Sequence, residues 1–292
     1  ERNSARMRWQ GQRESGNVED RRGMGPAGIG GVGIGGIVLV LAISYFTGMN
    51  PLTLFEMLNT EQTIPGDSSQ ESGPTGPVTD TLGRFASVVL ADTEDTWNAL
   101  LPAMGGRYDE PRLVLFTGAV RSACGTGSAA VGPFYCPGDR KLYLDLSFFQ
   151  ELSQRLGASG DFAQAYVIAH EVGHHVQNLL GIADRVGKLQ RQASRTEGNA
   201  LSVKMELQAD CFAGVWGYHA KRDRNLIEPG DFEEGLRAAS AIGDDQLQRM
   251  SQGDVRPESW THGSSAQRTG WLRKGLETGD PQSCDTFTAD RL

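Results

Sequence analysis

A short motif in the middle of the chain, His-Glu-Val-Gly-His-His at residues 170–175, constrains the fold more than any other feature. On an α-helix, His170 and His174 stand one turn apart on the same face, so both imidazoles can bind one metal ion. Zinc is the usual metal for such a pair, and Glu171 can take a proton from a metal-bound water. The motif therefore predicts a zinc site on a helix, with zinc-dependent hydrolysis as the leading hypothesis.

The residues around the motif favour a helix over residues 162–180. Asp161 and Gln164 stand at the positions of a capping box, and Gly181 follows as a stop signal. Apolar residues before the motif fall on or near one stripe. The alternative is a buried helix whose histidines are only hydrogen-bonded. Three of the chain's five histidines lie within six residues, which argues against that alternative.

The third protein ligand of the metal has to come from elsewhere, because two histidines fall one short of the usual catalytic set. The metzincin pattern fails, since Gln177 and Leu180 stand where it needs Gly and His. A later segment places Glu206 and Asp210 one turn apart among apolar residues, and a buried carboxylate pair needs a cation. We predict Glu206 as the ligand and Asp210 as the partner of a ligand histidine's free N–H. Asp210 as the ligand and a solvated acidic helix face are the alternatives.

These motifs, together with Thr-His-Gly-Ser-Ser-Ala-Gln-Arg at residues 261–268, resemble those of the bacterial neutral zinc metallopeptidases. The Glu-x-x-Ala-Asp element is also similar to that of membrane gluzincins of the CAAX-protease and HtpX type. The resemblance covers nearly the whole chain, including its Arg-Trp-Gln-Gly opening and its single membrane span. It implies a gluzincin-like core with zinc on His170, His174 and Glu206. It also implies that Glu171 is the general base.

The expected function is that of a zinc-dependent endopeptidase acting on a peptide or protein substrate. In related gluzincins a His or Tyr outside the metal shell steadies the oxyanion, and His262 is the candidate here. The alternative for His262 is a helix-entry histidine that holds the turn. Arg268 is a candidate to brace a carboxylate near the site, or else an ordinary surface charge.

Two other functions are open from the sequence. The chain could be a catalytically silent, zinc-stabilised binding or assembly module of the cell envelope, although such a module has no need of Glu171 as a base. It could also hydrolyse a non-peptide amide such as a cell-wall bond, although no wall-binding module is evident.

An uncharged run between Arg22 and Glu56 predicts one transmembrane helix, over residues 26–48. Six arginines precede the run. After it, all charged residues before Arg84 are acidic. This asymmetry predicts a basic cytoplasmic segment at residues 1–25 and a catalytic domain that is periplasmic or extracellular. A cleaved signal peptide is the competing interpretation. The long polar lead and the lack of a clear Ala-x-Ala site favour an uncleaved anchor.

The glycines of this run and the overall charge bear on partners. Gly28-x-Gly30-x-x-Gly33 matches a dinucleotide fingerprint, but no strand and no βαβ pattern surround it, so it is rejected. Gly31 and Gly35 are spaced for close helix packing, which suggests a homodimer through the span, with a merely tolerated glycine-rich span as the alternative. The net charge of −8, without a basic stripe, excludes nucleic acid as an expected partner.

The expected fold class is α+β and mostly helical: a gluzincin-like zinc metallopeptidase domain with a small β-sheet, preceded by one transmembrane helix. Residues 49–78, which become rich in Pro, Gly, Ser and Thr, are predicted to be a flexible linker. The folded domain is expected over residues 79–292, with a helix at 80–104. Strands are expected at 112–117 and 141–146, and the last third is expected to be helical.

The four cysteines suggest two disulfides if the domain lies outside the cytoplasm. A bond between Cys124 and Cys136 would pin the loop between the predicted strands, and its short spacing favours it. A bond between Cys211 and Cys284 would tie the C-terminal region to the helix that carries Glu206. Three connectivities are possible, and Cys211 as an inert buried thiol is the alternative to the second bond.

Overall fold

A computed structural model describes residues 7–23, 78–128, 132–251, 254–289 and 292. The described part is a mostly helical α+β fold with a small sheet, as predicted. Its strands are β1 (Val18–Asp20), β2 (Arg112–Phe116), β3 (Ala119–Ser122), β4 (Gly125–Ser128), β5 (Phe134–Cys136) and β6 (Lys141–Asp145). Its helices are α1 (Thr81–Leu100), α2 (Phe148–Gln154), α3 (Asp161–Leu179), α4 (Ile182–Gln190), α5 (Arg195–Arg222), α6 (Asp231–Ala241), α7 (Asp244–Ser251) and α8 (Ser265–Thr278).

The main sheet has the strand order β1-β2-β6-β5. The first three of these strands are parallel, whereas β5 runs antiparallel to β6. The central strands β2 and β6 are apolar and almost entirely buried, as expected for strands covered on both faces. This order leaves β5 at the edge of the described sheet, and β3 pairs separately with β4.

Three helices form the core that carries the predicted motifs. Helix α3 packs on α5, and α5 packs along α8. Glycines bring the last two backbones together. A Cβ added to Gly214 would lie 2.3 Å from the carbonyl oxygen of Leu272, and one on Gly275 would lie 2.1 Å from that of Cys211. Both helices start with a capping box, at Ser194 and Ser264.

Residues 7–23 belong to this folded unit, whereas the charge pattern predicts a separate cytoplasmic segment over residues 1–25. Strand β1 pairs with β2, with Val18 opposite Leu113. The side chains of Met7, Trp9 and Val18 are buried in the main core. The described domain therefore includes residues 7–23 in addition to the part that begins at residue 78. A strand of three residues is too short to show the alternating pattern that reveals strands in sequence.

The predicted membrane span, residues 26–48, lies outside the described residues. The predicted linker, residues 49–78, also lies outside them except for Val78, which is buried. Among the described helices, none is both long and apolar enough to cross a bilayer.

Both favoured disulfides are confirmed. One joins Cys124 to Cys136, and the other joins Cys211 to Cys284. The first fixes the turn after β3 to the edge strand β5. The second fixes the C-terminal region to α5, close to the carboxylates of the predicted site.

The start of α3 differs from the predicted capping box at Asp161. The N-cap residue is Gly160, with φ +122°, and it makes no side-chain hydrogen bond to the start of the helix. Glu234 of α6 accepts the N–H of Phe162 at 3.2 Å instead. A Cβ on Gly160 would lie 2.0 Å from that carboxylate. The acceptor for this backbone N–H therefore comes from another helix, whereas the sequence predicted that a capping box at the start of α3 would supply it.

Removal of the Glu19 carboxylate should destabilise the domain strongly. Glu19 is fully buried in β1 and accepts hydrogen bonds from Lys141 Nζ at 2.9 Å and Arg21 Nη2 at 2.6 Å. Glu19→Ala leaves these cations without their carboxylate and should lower the free energy of unfolding by about 3 kcal/mol. Urea unfolding of the full chain measures this. The control is Glu14→Ala, which removes an exposed pair with Arg84 and should cost less than about 1 kcal/mol. Equal small losses would contradict the packing of β1.

Glu234 should make stability depend on pH. Burial raises the pKa of its carboxyl from 4.5 to about 7. The stabilisation by the protonated form is complete below the unfolded pKa and is lost as the pH rises through about 7. Glu234→Gln keeps the acceptor for Phe162. As the pH rises from about 5 to about 8, the free energy of unfolding of this variant should increase by about 1–2 kcal/mol relative to that of the wild type. This figure is reduced for screening by nearby water. Urea unfolding at both pH values, with the exposed Glu233→Gln as control, tests this. A difference from wild type that does not change with pH would refute it.

Candidate metal centre

Three predicted ligands converge between α3 and α5. The candidate ligand atoms of His170, His174 and Glu206 all lie within 4.8 Å of one another. The Nε2 atom of His170 is 3.1 Å from Oε2 of Glu206, and that of His174 is 3.4 Å from Oε1. With bonds of about 2.0–2.1 Å in a tetrahedral zinc site, neighbouring ligand atoms stand roughly 3.3 Å apart. The donor set and its spacing therefore fit one zinc ion.

The close approach of α3 and α5 depends on the glycine within the motif. A Cβ added to Gly173 would lie 2.9 Å from the carbonyl oxygen of Ala209. With only hydrogen at this position, the motif face of α3 lies directly on α5. Glu206 and Asp210, one turn apart on α5, then both reach His170.

Hydrogen bonds orient both imidazoles for metal binding. His170 donates from Nδ1 to Asp210 at 2.8 Å, and His174 donates from Nδ1 to Gln177 at 2.9 Å. Each Nε2 lone pair is then directed at the space beside Glu206. In the sequence, Gln177 served only as evidence against a metzincin. Its position three residues after His174, on the same helix face, was the signal for this role.

Asp210 is itself held by two buried groups. Arg268 of α8 donates to its two oxygens at 2.8 and 2.9 Å, and the hydroxyl of Tyr166 donates at 2.5 Å. Burial acts to raise the pKa of Asp210, but Arg268 and His170 outweigh it and keep the pKa below its usual range. Asp210 thus lies where a partner of the ligand histidine was expected. Arg268 does brace a carboxylate near the site, and Tyr166, one turn before His170, was missed.

Glu171 lines the cleft that opens at these ligands. Its neighbours His170 and His174 act to lower its pKa, but burial is the larger effect and raises the pKa. A raised pKa brings a carboxylate nearer to the value at which a general base works best at neutral pH. Glu171 thus lies in the cleft beside the three candidate ligands, and its role as a base stays a prediction.

The cleft has a volume of about 710 Å³. The edge strand β5 and the residues just before it line the cleft, as do Ile242, which follows α6, and Leu247 of α7. Much of the lining is apolar: Pro133, Phe134, Pro137, Phe148, Leu156, Val167, Ala183, Met205, Ile242 and Leu247. Side chains of this kind recognise apolar groups, whereas the polar groups concentrate around Glu206.

His262 lies on the cleft wall, near Glu206. The turn that carries it is held by Asp244, which accepts the backbone N–H groups of Thr261, His262 and Gly263 at 2.7–3.0 Å. Asp244 also accepts from Nδ1 of His262 at 3.2 Å, and this hydrogen bond raises the pKa of the imidazole. Asp244 had no predicted role. It holds this turn, whereas holding the turn was the alternative role considered for His262.

His175 lies behind the site. It accepts from the hydroxyl of Tyr135 at 3.0 Å and donates to the carbonyl oxygen of Asp109 at 2.6 Å. Burial lowers its pKa to about 4, so the imidazole is neutral. Asn178 donates to the same hydroxyl at 3.0 Å. These contacts attach the edge strand β5, which lines the cleft, to helix α3.

Comparison with known proteins agrees with these motifs. The model of a family described as "Putative neutral zinc metallopeptidase" matches residues 7–287. The chain is similar to "Uncharacterized protein YpfJ" of Escherichia coli strain K12, with 49% identity over 287 residues, 96% of this chain and 99% of that protein. It is also similar to "Uncharacterized protein Mb2605" of Mycobacterium bovis, with 47% identity over 206 residues and 67% of each chain covered. No solved structure matches the chain.

Glu206→Gln should weaken zinc binding. The change replaces the anionic ligand by a neutral amide while keeping its size. We expect an affinity loss of at least about 100-fold, above the range for partners outside the metal shell. Competition with a chelator measures the affinity. Glu197→Gln, on the same helix but exposed, keeps its capping contact and should bind as the wild type does. Equal affinities of the two variants would remove Glu206 from the ligand set.

Proposed function

The chain belongs to the neutral zinc metallopeptidase family, and we propose that it is a zinc-dependent endopeptidase. The observation that carries the proposal is the position of Glu171 in one cleft with His170, His174 and Glu206. We expect an extended polypeptide to bind in this cleft, which has a volume of about 710 Å³.

His170, His174 and Glu206 are the groups that would hold the metal. Bound there, zinc lowers the pKa of a coordinated water towards 7 and polarises a carbonyl group. Asp210 keeps His170 in the tautomer that leaves Nε2 free, and Gln177 does the same for His174. The chain thus contributes a ligand set whose orientation is fixed before substrate arrives.

Glu171 performs the proton transfers in this proposal. Its carboxylate accepts a proton from the attacking water and delivers that proton to the departing amide nitrogen. Burial raises the pKa of Glu171 above its usual range, which favours uptake of a proton by its carboxylate. His262, held by Asp244, supplies an N–H towards the oxygen on which negative charge develops.

The position of the edge strand β5 is an argument for a peptide as the substrate. It borders the cleft and lies at the end of the described sheet, so an extended chain can add to it by backbone hydrogen bonds. The apolar lining around Phe134, Phe148 and Leu247 then favours substrates with large apolar side chains. A silent scaffold would make no use of the Glu171 carboxylate in this position.

The two disulfides favour a compartment outside the cytoplasm, because thiols are kept reduced inside most cells. We propose that the domain works there. The apolar run at residues 26–48 is its proposed attachment to a membrane.

Glu171→Gln should abolish proteolysis while leaving metal binding intact. General acid–base catalysis contributes about 10²- to 10⁴-fold, and the amide cannot carry the proton. Cleavage of an unfolded protein by the zinc-loaded full chain, beside this variant, measures the effect. Zinc content determined on the same samples separates loss of catalysis from loss of metal. Activity retained by the variant would contradict the role of Glu171. No cleavage by wild type with one zinc bound per chain would favour the scaffold instead.

A further inference from the structure

Residues 7–23 and the start of α1 lie next to each other on the domain. Arg22 donates to Asp20 at 2.6 Å and to Asp80 at 2.5 Å, so one guanidinium joins the two parts. The domain is therefore connected to both sides of residues 24–77 at one point of the fold.

The contacts of the leading segment are those of a built-in part of the domain. Trp9 packs edge-on against Phe85 of α1, with ring centroids 5.5 Å apart. Ser15 donates to the buried carboxylate of Glu94 at 2.5 Å. Glu19 is fully buried and bonded to Lys141 of β6. Contacts to α1, β2 and β6 together require residues 7–23 to be present beside the domain.

Besides Arg22, two arginines of residues 7–23 have partners on the rest of the domain. Arg8 pairs with Glu228, Arg13 pairs with Glu94 and Asp95, and Arg84 of α1 pairs with Glu14 in the reverse direction. A charge asymmetry across an apolar run is usually a signal of orientation in a membrane. Here the same asymmetry also has a structural cause, since a basic segment docks on acidic groups of the domain.

A single membrane crossing would separate these partners by the thickness of the bilayer core, about 30 Å. The apolar run at residues 29–46 is long enough for one crossing. The remainder, up to residue 77, carries Glu56, Glu61, Asp67 and Glu71 and has no second apolar run of sufficient length. One crossing therefore cannot be reconciled with the pairing of β1 and β2.

We propose that residues 7–23 and the catalytic domain lie on the same side of the membrane. The pairing of β1 with β2 and the ion pair between Arg22 and Asp80 hold them together there.

Reporter fusions to the full chain test the proposal. Alkaline phosphatase, active only outside the cytoplasm, and a fluorescent protein that folds only inside are fused in turn to each end. The proposal expects both ends to report the same compartment. Opposite compartments would overturn it. As a control, residues 29–46 are replaced by a Gly- and Ser-rich run, which should place both ends together under either topology.

Cross-linking gives an independent measurement on the membrane-bound chain. Glu14→Cys and Arg84→Cys are combined, since these exposed side chains are in contact at 2.9 Å. A short bismaleimide should join them within one chain. The control combines Glu14→Cys with Arg155→Cys, an exposed position elsewhere on the domain that should give no such product. Failure of the first pair to cross-link in membranes, while the reporters are active, would overturn the proposal.

Discussion

The buried carboxylate of Asp210 is the interaction on which the site depends. It receives hydrogen bonds from Tyr166 and His170 of α3 and from Arg268 of α8, while lying on α5 itself. A carboxylate without exposure to water is costly unless a charge and hydrogen bonds compensate it. Arg268 provides that charge, and the three helices are consequently fixed in one relative position. The orientation of a ligand imidazole is thus tied to the packing of the core.

The rest of the domain positions the cleft around this centre. Parallel strands β1, β2 and β6 form a buried base, and β5 is left at the edge where a substrate can reach it. His175 and Asn178 of the metal helix hold Tyr135 of that edge strand, and a disulfide holds its last residue. The glycines at 173, 214 and 275 allow α3, α5 and α8 to pack closely, and these helices carry the candidate ligands and Arg268.

The leading segment changes how the chain is divided. Its charges and the apolar run after it have the pattern of a cytoplasmic segment and an anchor. In the structure the segment contributes a strand to the sheet and a carboxylate to Lys141. The same residues can satisfy a local rule for membrane orientation and a tertiary role in docking. Only the contacts distinguish these roles, because residue type alone fixes neither the partner nor the side.

The sequence by itself determined the features that depend on helical periodicity and residue chemistry. The spacing of His170 and His174 puts two imidazoles on one face whatever surrounds them, and the pair Glu206 and Asp210 obeys the same geometry. The nearby cysteines at 124 and 136 likewise favoured their own pairing. Tertiary structure decided the rest: the contact of α3 with α5, the roles of Gln177, Tyr166 and Asp244, the cap at Gly160 and the place of β1. Apart from the contact of Gln177 with His174, these depend on residues distant in sequence, whose approach is set by packing that no local pattern encodes.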